Sequence, residues 1–163
     1  MKNIIPYLEI NTMKLVLKKI AIFGGFDDDQ LYKIFSVLEE ARYSSGDLIF
    51  KEREAPTYIY LILKGRVRFQ RGTHKIFEFH EGDCMGEEFV IGLQPYSLSA
   101  VAMEDVELAI ISKKALLDFY ETDMELFGHL MINISREISR KLSMTNELLF
   151  ECMDKGNPKD TTL

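Results

Sequence analysis

Between Ala41 and Ser112 the chain is cut by turn-forming clusters at short intervals: Ser44-Ser45-Gly46-Asp47, Lys64-Gly65, Arg71-Gly72 and Glu81-Gly82-Asp83. Turn chemistry at that spacing marks hairpins, and hairpins in series restrict the segment to an antiparallel all-β sandwich or barrel. Leu48–Phe50, Tyr58–Leu63, Arg66–Gln70, Lys75–Phe79, Leu98–Met103 and Val106–Ile111 read as most of its strands, with about eight expected in all.

On either side the hydrophobic period changes to that of a helix. Met13, Val16, Leu17 and Ile20 fall at i, i+3, i+4, i+7, as do Leu31, Ile34, Phe35 and Leu38, with Gly24-Gly25 between the two groups. Asp27, Asp28 and Asp29 stand where carboxylates cap free amides and meet the positive end of a helix dipole. After the strands, Ser112 is placed to cap a short helix through Tyr120, and Asp123 to open a longer one reaching about Met153.

Along that last helix Phe127, Met131, Ile134, Ile138, Leu142, Thr145, Leu149 and Cys152 define an apolar seam, leaving Arg136, Glu137, Arg140, Lys141 and Glu147 mostly off it. A helix of about 30 residues spans roughly 45 Å, too far for one small sheet to cover. Its far end is expected to meet a second copy of the chain; the competing expectation is a helix folded back on its own domain. The organisation follows: 1–22 an N-terminal helix, 23–120 a β-roll with its flanking helices, 121–153 a long dimerisation helix, 154–163 a disordered tail.

With 163 residues, 47% of them hydrophobic, one domain can bury a core without staples. Cys84 and Cys152 lack the spacing of a disulfide framework or zinc site and are expected to be two buried thiols in a reducing cytoplasm. No run reaches the ~20 apolar residues of a membrane span. The net charge of −6 argues against a general nucleic-acid surface. Lys64, Arg66, Arg68, Arg71 and Lys75 do cluster, but around Val67 and Phe69 they alternate as the outward face of a strand does.

The ordered set Phe26-x4-Leu31, Tyr43-Ser-Ser-Gly-Asp-Leu-Ile-Phe50, Tyr58-Ile-Tyr-Leu-Ile-Leu-Lys-Gly-Arg-Val67, Glu81-Gly-Asp-Cys-Met-Gly-Glu87 and Val101-Ala102 through Leu108-Ala-Ile-Ile111 resembles the successive signatures of cyclic nucleotide-binding domains. The resemblance covers roughly 23–141. It implies a mainly β fold, an eight-stranded β-roll of the jelly-roll type with N-terminal helices and a long C-terminal helix. It also implies a phosphate-binding cassette for cyclic AMP or cyclic GMP, or another small anionic ligand. Within the cassette Gly86 would offer a backbone amide, Glu87 would accept from the ribose 2′-hydroxyl, and the Phe89 amide would point to the phosphate. Helix-start amides do bind anions, and glycine permits close backbone approach.

Counted back from Val101-Ala102, the family's cassette arginine falls on Tyr96 and its small residue on Ser97. A phenol has neither the charge nor the fork of a guanidinium. Loss of one partner of a buried charged pair costs roughly 2 to 5 kcal/mol, so cyclic nucleotide affinity would fall about 30-fold to several thousand-fold. Arg53, Arg136 and Arg140 stand as substitutes, and Glu87 has a second role open to it, capping amides at the helix start. Similarity to regulators of the catabolite activator type implies the sensor part without a DNA-binding module, since the chain ends about where that module would begin. Three functions follow: a non-enzymatic ligand-sensing regulatory module with weak or altered cyclic nucleotide binding, a ligand-free protein-interaction platform, and, as a minor alternative, a cupin-like metal enzyme built on His74, His80 and Glu87.

Overall fold

The computed structural model describes Leu17 and residues 19–156, so most of the first expected helix and most of the expected tail lie outside the described residues. A 3-10 turn at Ala21–Phe23 leads into α1 (Asp28–Phe35), whose capping box joins the Asp27 carboxylate to the Gln30 amide and the Gln30 side chain to the Asp27 amide. Eight strands follow: β1 (Glu39–Tyr43), β2 (Leu48–Phe50), β3 (Tyr58–Lys64), β4 (Val67–Arg71), β5 (His74–Phe79), β6 (Cys84–Met85), β7 (Ser99–Ala102) and β8 (Val106–Ser112). The short helix α2 (Glu87–Gly92) interrupts them between β6 and β7, and α3 (Lys113–Thr122) and α4 (Met124–Gly156) close the chain.

The strands form two four-stranded sheets, ordered β1-β8-β3-β6 and β2-β7-β4-β5, with every pairing antiparallel. The apolar runs of β3 and β8 are continuous because both faces of their sheet are covered. Ile59, Leu61, Ala109 and Ile111 pack towards the helices, beside Ile22, Leu31, Leu116, Leu126 and Leu130. Tyr60, Ile62, Leu108 and Ile110 face the second sheet, with Phe50, Val67, Phe69 and Ala100. On β4 Val67 and Phe69 point in while Arg68 points out, as their alternation indicated; Arg71, at the strand end past the register shift between Phe69 and Gln70, is exposed. Gly65 makes the β3–β4 turn at φ +92°, where an added Cβ would lie 2.7 Å from the Asp105 carbonyl oxygen.

Both later helices begin where their caps place them: the Ser112 hydroxyl accepts from the Ala115 amide and the Asp123 carboxylate from the Leu126 amide. The seam of α4 differs from the expected one. Leu126, Leu130, Asn133, Ile134 and Glu137 are buried, whereas Leu142, Leu149 and Cys152 are exposed, so Cys152 is not a core thiol. Among the described residues the first half of α4 is the part that packs, and there Asn133 Nδ2 donates to the carbonyls of Ile22 (3.1 Å) and Gly24 (2.8 Å), tying the 3-10 turn to the helix. Among the described residues no helix is long and apolar enough to cross a membrane.

Candidate functional site

The β6–α2 junction is built on Gly86, whose left-handed backbone (φ +88°) turns the chain from strand into helix. A side chain there would meet the Tyr58 carbonyl oxygen at 3.0 Å and the Tyr60 ring at 3.3 Å. The helical ladder starts with the Val90 amide donating to the Gly86 carbonyl at 3.1 Å. Glu87, Glu88 and Phe89 therefore form the first turn, where amides lack intrahelical acceptors.

Glu87 is fully buried. No side-chain hydrogen bond caps the helix. Glu87 Oε1 accepts from Lys141 Nζ at 2.5 Å and Glu87 Oε2 from the Cys84 thiol at 3.4 Å. Lys141 comes from α4, 54 residues away in sequence, and its ammonium also donates to the Cys84 carbonyl at 2.8 Å. The same nitrogen lies 4.0 Å from Glu88 Oε2 and 5.0 Å from the centre of the Phe79 ring. Burial pulls the Lys141 pKa down, but the charges on Glu87 and Glu88 and the neighbouring Cys84 outweigh it, and the group stands above its ordinary value. It is a cation. Burial, and next the Glu87 charge, push the Cys84 thiol well up, so it remains a donor.

Glu88 is the second carboxyl of the cassette. Burial and the adjacent Glu87 charge raise it to about 7, against the opposing pull of Lys141. Its Oε2 is shut off from solvent without a hydrogen-bond partner.

Tyr96 lies inside the core, 3% exposed, and not at the pocket wall as a ligand-facing arginine would. Its ring stacks on Phe50 (centroids 3.9 Å apart, 13° between planes) and meets the Phe89 ring edge-on at 5.2 Å. Its amide donates to the Glu54 carbonyl and its carbonyl accepts from the Arg53 amide, which fixes the loop. Burial pushes the phenol up, partly offset by the nearby Tyr60 hydroxyl and Thr57 backbone, yet no partner lies within hydrogen-bond geometry of Tyr96 Oη. Ser97 is exposed at the mouth of the cavity next to it.

That cavity, of about 350 Å³, lies between β4, β5, α2 and α4. Phe69, Phe77, Phe79, Phe89, Leu98 and Ile138 give it apolar walls, with Glu88, Arg140 and Lys141 along one side. Of the arginines named as substitutes, Arg140 is bound to both oxygens of Glu137, Arg136 reaches Asn133 Oδ1, and Arg53 is held by its amide to Tyr96. The cation on the Glu87 carboxylate is Lys141, which the sequence placed among the polar residues mostly off the seam. The signal was present: Lys141 is seven residues after Ile134 and three after Ile138, on the face that packs. His74 and His80 bracket β5. Among the described residues they and Glu87 do not form a group that could hold a metal ion.

The family described as cyclic nucleotide-binding domain matches residues 40–123. A cGMP-dependent protein kinase of Plasmodium berghei is 27% identical over 155 residues, covering 94% of this chain and 18% of the kinase. The chain thus spans less than a fifth of that relative's length. Among solved structures, a cyclic nucleotide-binding domain from Methylobacillus flagellatus superposes with a TM-score of 0.78 at 18% identity, over 94% of this chain and 89% of that one. The regulatory subunit of a cAMP-independent protein kinase A from Trypanosoma brucei gives 0.66 at 22% identity, over 77% and 46%.

Proposed function

The chain belongs to the cyclic nucleotide-binding domain family, and from that premise we propose that it is a non-enzymatic, ligand-sensing regulatory module that binds cyclic AMP and cyclic GMP weakly. The observation that carries this reading is the charge of the cassette. Gly86 and Glu87 keep the family's turn and carboxylate, but the arginine position holds the buried phenol Tyr96, and the cation nearest the site is Lys141, already engaged by Glu87 and the Cys84 carbonyl. A cyclic phosphate entering here meets the carboxyls of Glu87 and Glu88, and the arginine that lines the cavity, Arg140, is paired with Glu137.

Output passes through α4. The helix carries Lys141 on its packed face, and beyond it Leu142, Leu149, Phe150 and Met153 are exposed. A second copy of the chain is the partner that suits this apolar end, giving a homodimer. The test of the ligand reading is calorimetry against cyclic AMP, cyclic GMP and a cyclic dinucleotide. Binding no tighter than about 100 micromolar is expected for the first two. Micromolar or tighter binding of cyclic AMP by the unmodified protein sinks the proposal.

A further inference from the structure

The place where a ligand hydroxyl would meet Glu87 is filled by a cation from the chain itself, and the surroundings of that cation are those of an ammonium pocket. An –NH3+ group donates three hydrogen bonds and favours the face of an aromatic ring. Lys141 Nζ has a carboxylate oxygen at 2.5 Å (Glu87), a carbonyl oxygen at 2.8 Å (Cys84), a second carboxyl oxygen at 4.0 Å (Glu88) and the Phe79 ring at 5.0 Å. The side chain of Glu87 is fully buried and that of Lys141 is 16% exposed. These acceptors belong to β5, β6 and α2, whereas the ammonium belongs to α4. The pocket and its occupant are thus on separable elements.

Two further observations point to a ligand. The apolar cavity opens directly beside the ammonium, with Phe69, Phe77, Phe79 and Phe89 in its wall, and its volume of about 350 Å³ suits a small organic molecule. Glu88 Oε2, on its edge, is closed to solvent and lacks a hydrogen-bond partner. We propose that the cassette is an ammonium-binding site whose resident occupant is Lys141, and that a small molecule bearing a primary ammonium on an apolar body displaces Lys141 and frees the distal part of α4. The ligand's ammonium takes the Glu87 and Cys84 oxygens, and its body takes the cavity between β5 and α2. This inference rests on the reading of the cassette as the ligand site, but its test uses no nucleotide, so the two fail separately.

The test has two arms. Lys141→Ala removes three carbons and an ammonium, the size of propylammonium, so thermal unfolding of that variant is followed against propylammonium chloride, with tetramethylammonium chloride and sodium chloride as controls. A saturable rise in melting temperature is expected with propylammonium alone, half-maximal in the millimolar range, and it should vanish in Glu87→Gln/Lys141→Ala. In the second arm the unmodified protein is exposed to phenethylammonium chloride up to about 50 mM, well above a millimolar dissociation constant, while amide hydrogen exchange is read along α4. Residues 142–150 should exchange at least tenfold faster, with the first half of α4 unchanged. An equal response to all three salts, or to propylammonium in the double variant, overturns the proposal. So does unchanged exchange in the second arm, which needs no variant and stands even where Lys141→Ala does not fold.

Discussion

Breaking the Lys141–Glu87 pair from the lysine side alone should destabilise the protein far more than removing both charges. In Lys141→Met the aliphatic stem and its packing on Phe79 are largely kept, but Glu87 remains fully buried with its counter-charge gone. Removing one partner of a buried pair typically costs about 3 to 5 kcal/mol. The cost in Glu87→Gln should be smaller, roughly 1 to 2 kcal/mol, because Lys141 is partly exposed and can turn its ammonium towards water. In the double variant Lys141→Met/Glu87→Gln both charges are gone, and the Gln side chain keeps an acceptor for the Cys84 thiol. Its stability should lie within about 1 to 2 kcal/mol of the unmodified protein, giving a coupling energy of at least ~2 kcal/mol. Urea unfolding followed by circular dichroism measures all four corners of the cycle. For a chain of this size each kcal/mol corresponds to ~2 to 4 °C, so the Lys141→Met melting temperature should drop by roughly 6 to 20 °C. Additive single effects, or a Lys141→Met loss below about 1 kcal/mol, would refute the argument that the pair is buried and mutually dependent.

Glu88→Gln tests the raised carboxyl. The folded pKa of about 7 exceeds the unfolded reference of 4.5, so the native state holds the extra proton between those values and this group's contribution to stability falls as pH rises from about 4.5 to 7. Glu88→Gln should therefore match the unmodified protein near pH 4.5 and exceed it by roughly 1 to 2 kcal/mol at pH 8, after allowance for partial exposure; an equal offset at both pH values would contradict it. Tyr96→Arg should tighten cyclic AMP binding about 30-fold by calorimetry, near 2 kcal/mol, even though losing the stack on Phe50 lowers stability. The gain should shrink when Glu87→Ala is added. For the dimer, sedimentation at tens of micromolar should give twice the monomer mass, and Leu149→Asp, on the exposed end of α4, should return it to the monomer without unfolding it.

The β-roll was legible because its information is local. Each turn cluster names a chain reversal, and the period-two alternation of β4 separates its faces within five residues. The runs Tyr58–Leu63 and Val106–Ile111 read as strands and fall within β3 and β8. Where the reading failed, the deciding contact was long-range. A single period was laid along the whole of α4, but only the part from Leu126 to about Lys141 packs against the domain, so its buried face follows that surface and includes Asn133 and Glu137. Polar residues on the packed face looked like breaks in the seam because their partners, the Ile22 and Gly24 carbonyls for Asn133 and Glu87 for Lys141, lie on other elements. The turn at Gly86 and Glu87 that opens α2 could be placed from sequence. That the Tyr96 phenol turns inward on Phe50 and Phe89 depends on rings brought together only by the two sheets.

With a phenol at Tyr96 and the cation beside Glu87 supplied by Lys141, charge compensation at this site depends on the helix that carries the lysine. An arginine in the loop that closes a cassette moves with that loop, so its charge is present whether or not the following helix is docked. Lys141 is carried by α4, and the buried Glu87 is neutralised only while that segment of the helix lies on β6 and α2. Undocking the helix leaves a buried carboxylate to be satisfied by water, a proton or a ligand; docking removes the need. Site occupancy and helix position are therefore linked through one ion pair, and linkage is reciprocal: whatever binds Glu87 favours the undocked helix, and whatever holds α4 docked weakens that binding by the same factor. The coupling cannot exceed the difference in free energy the ligand experiences between the two helix positions. At ~2 kcal/mol, the coupling assigned above to the pair, that factor is about 30, enough to shift a population without abolishing either state. A partner copy that covers the exposed apolar end of α4 would add to the docked or the undocked side, and so would tune the affinity of the cassette without touching any residue in it.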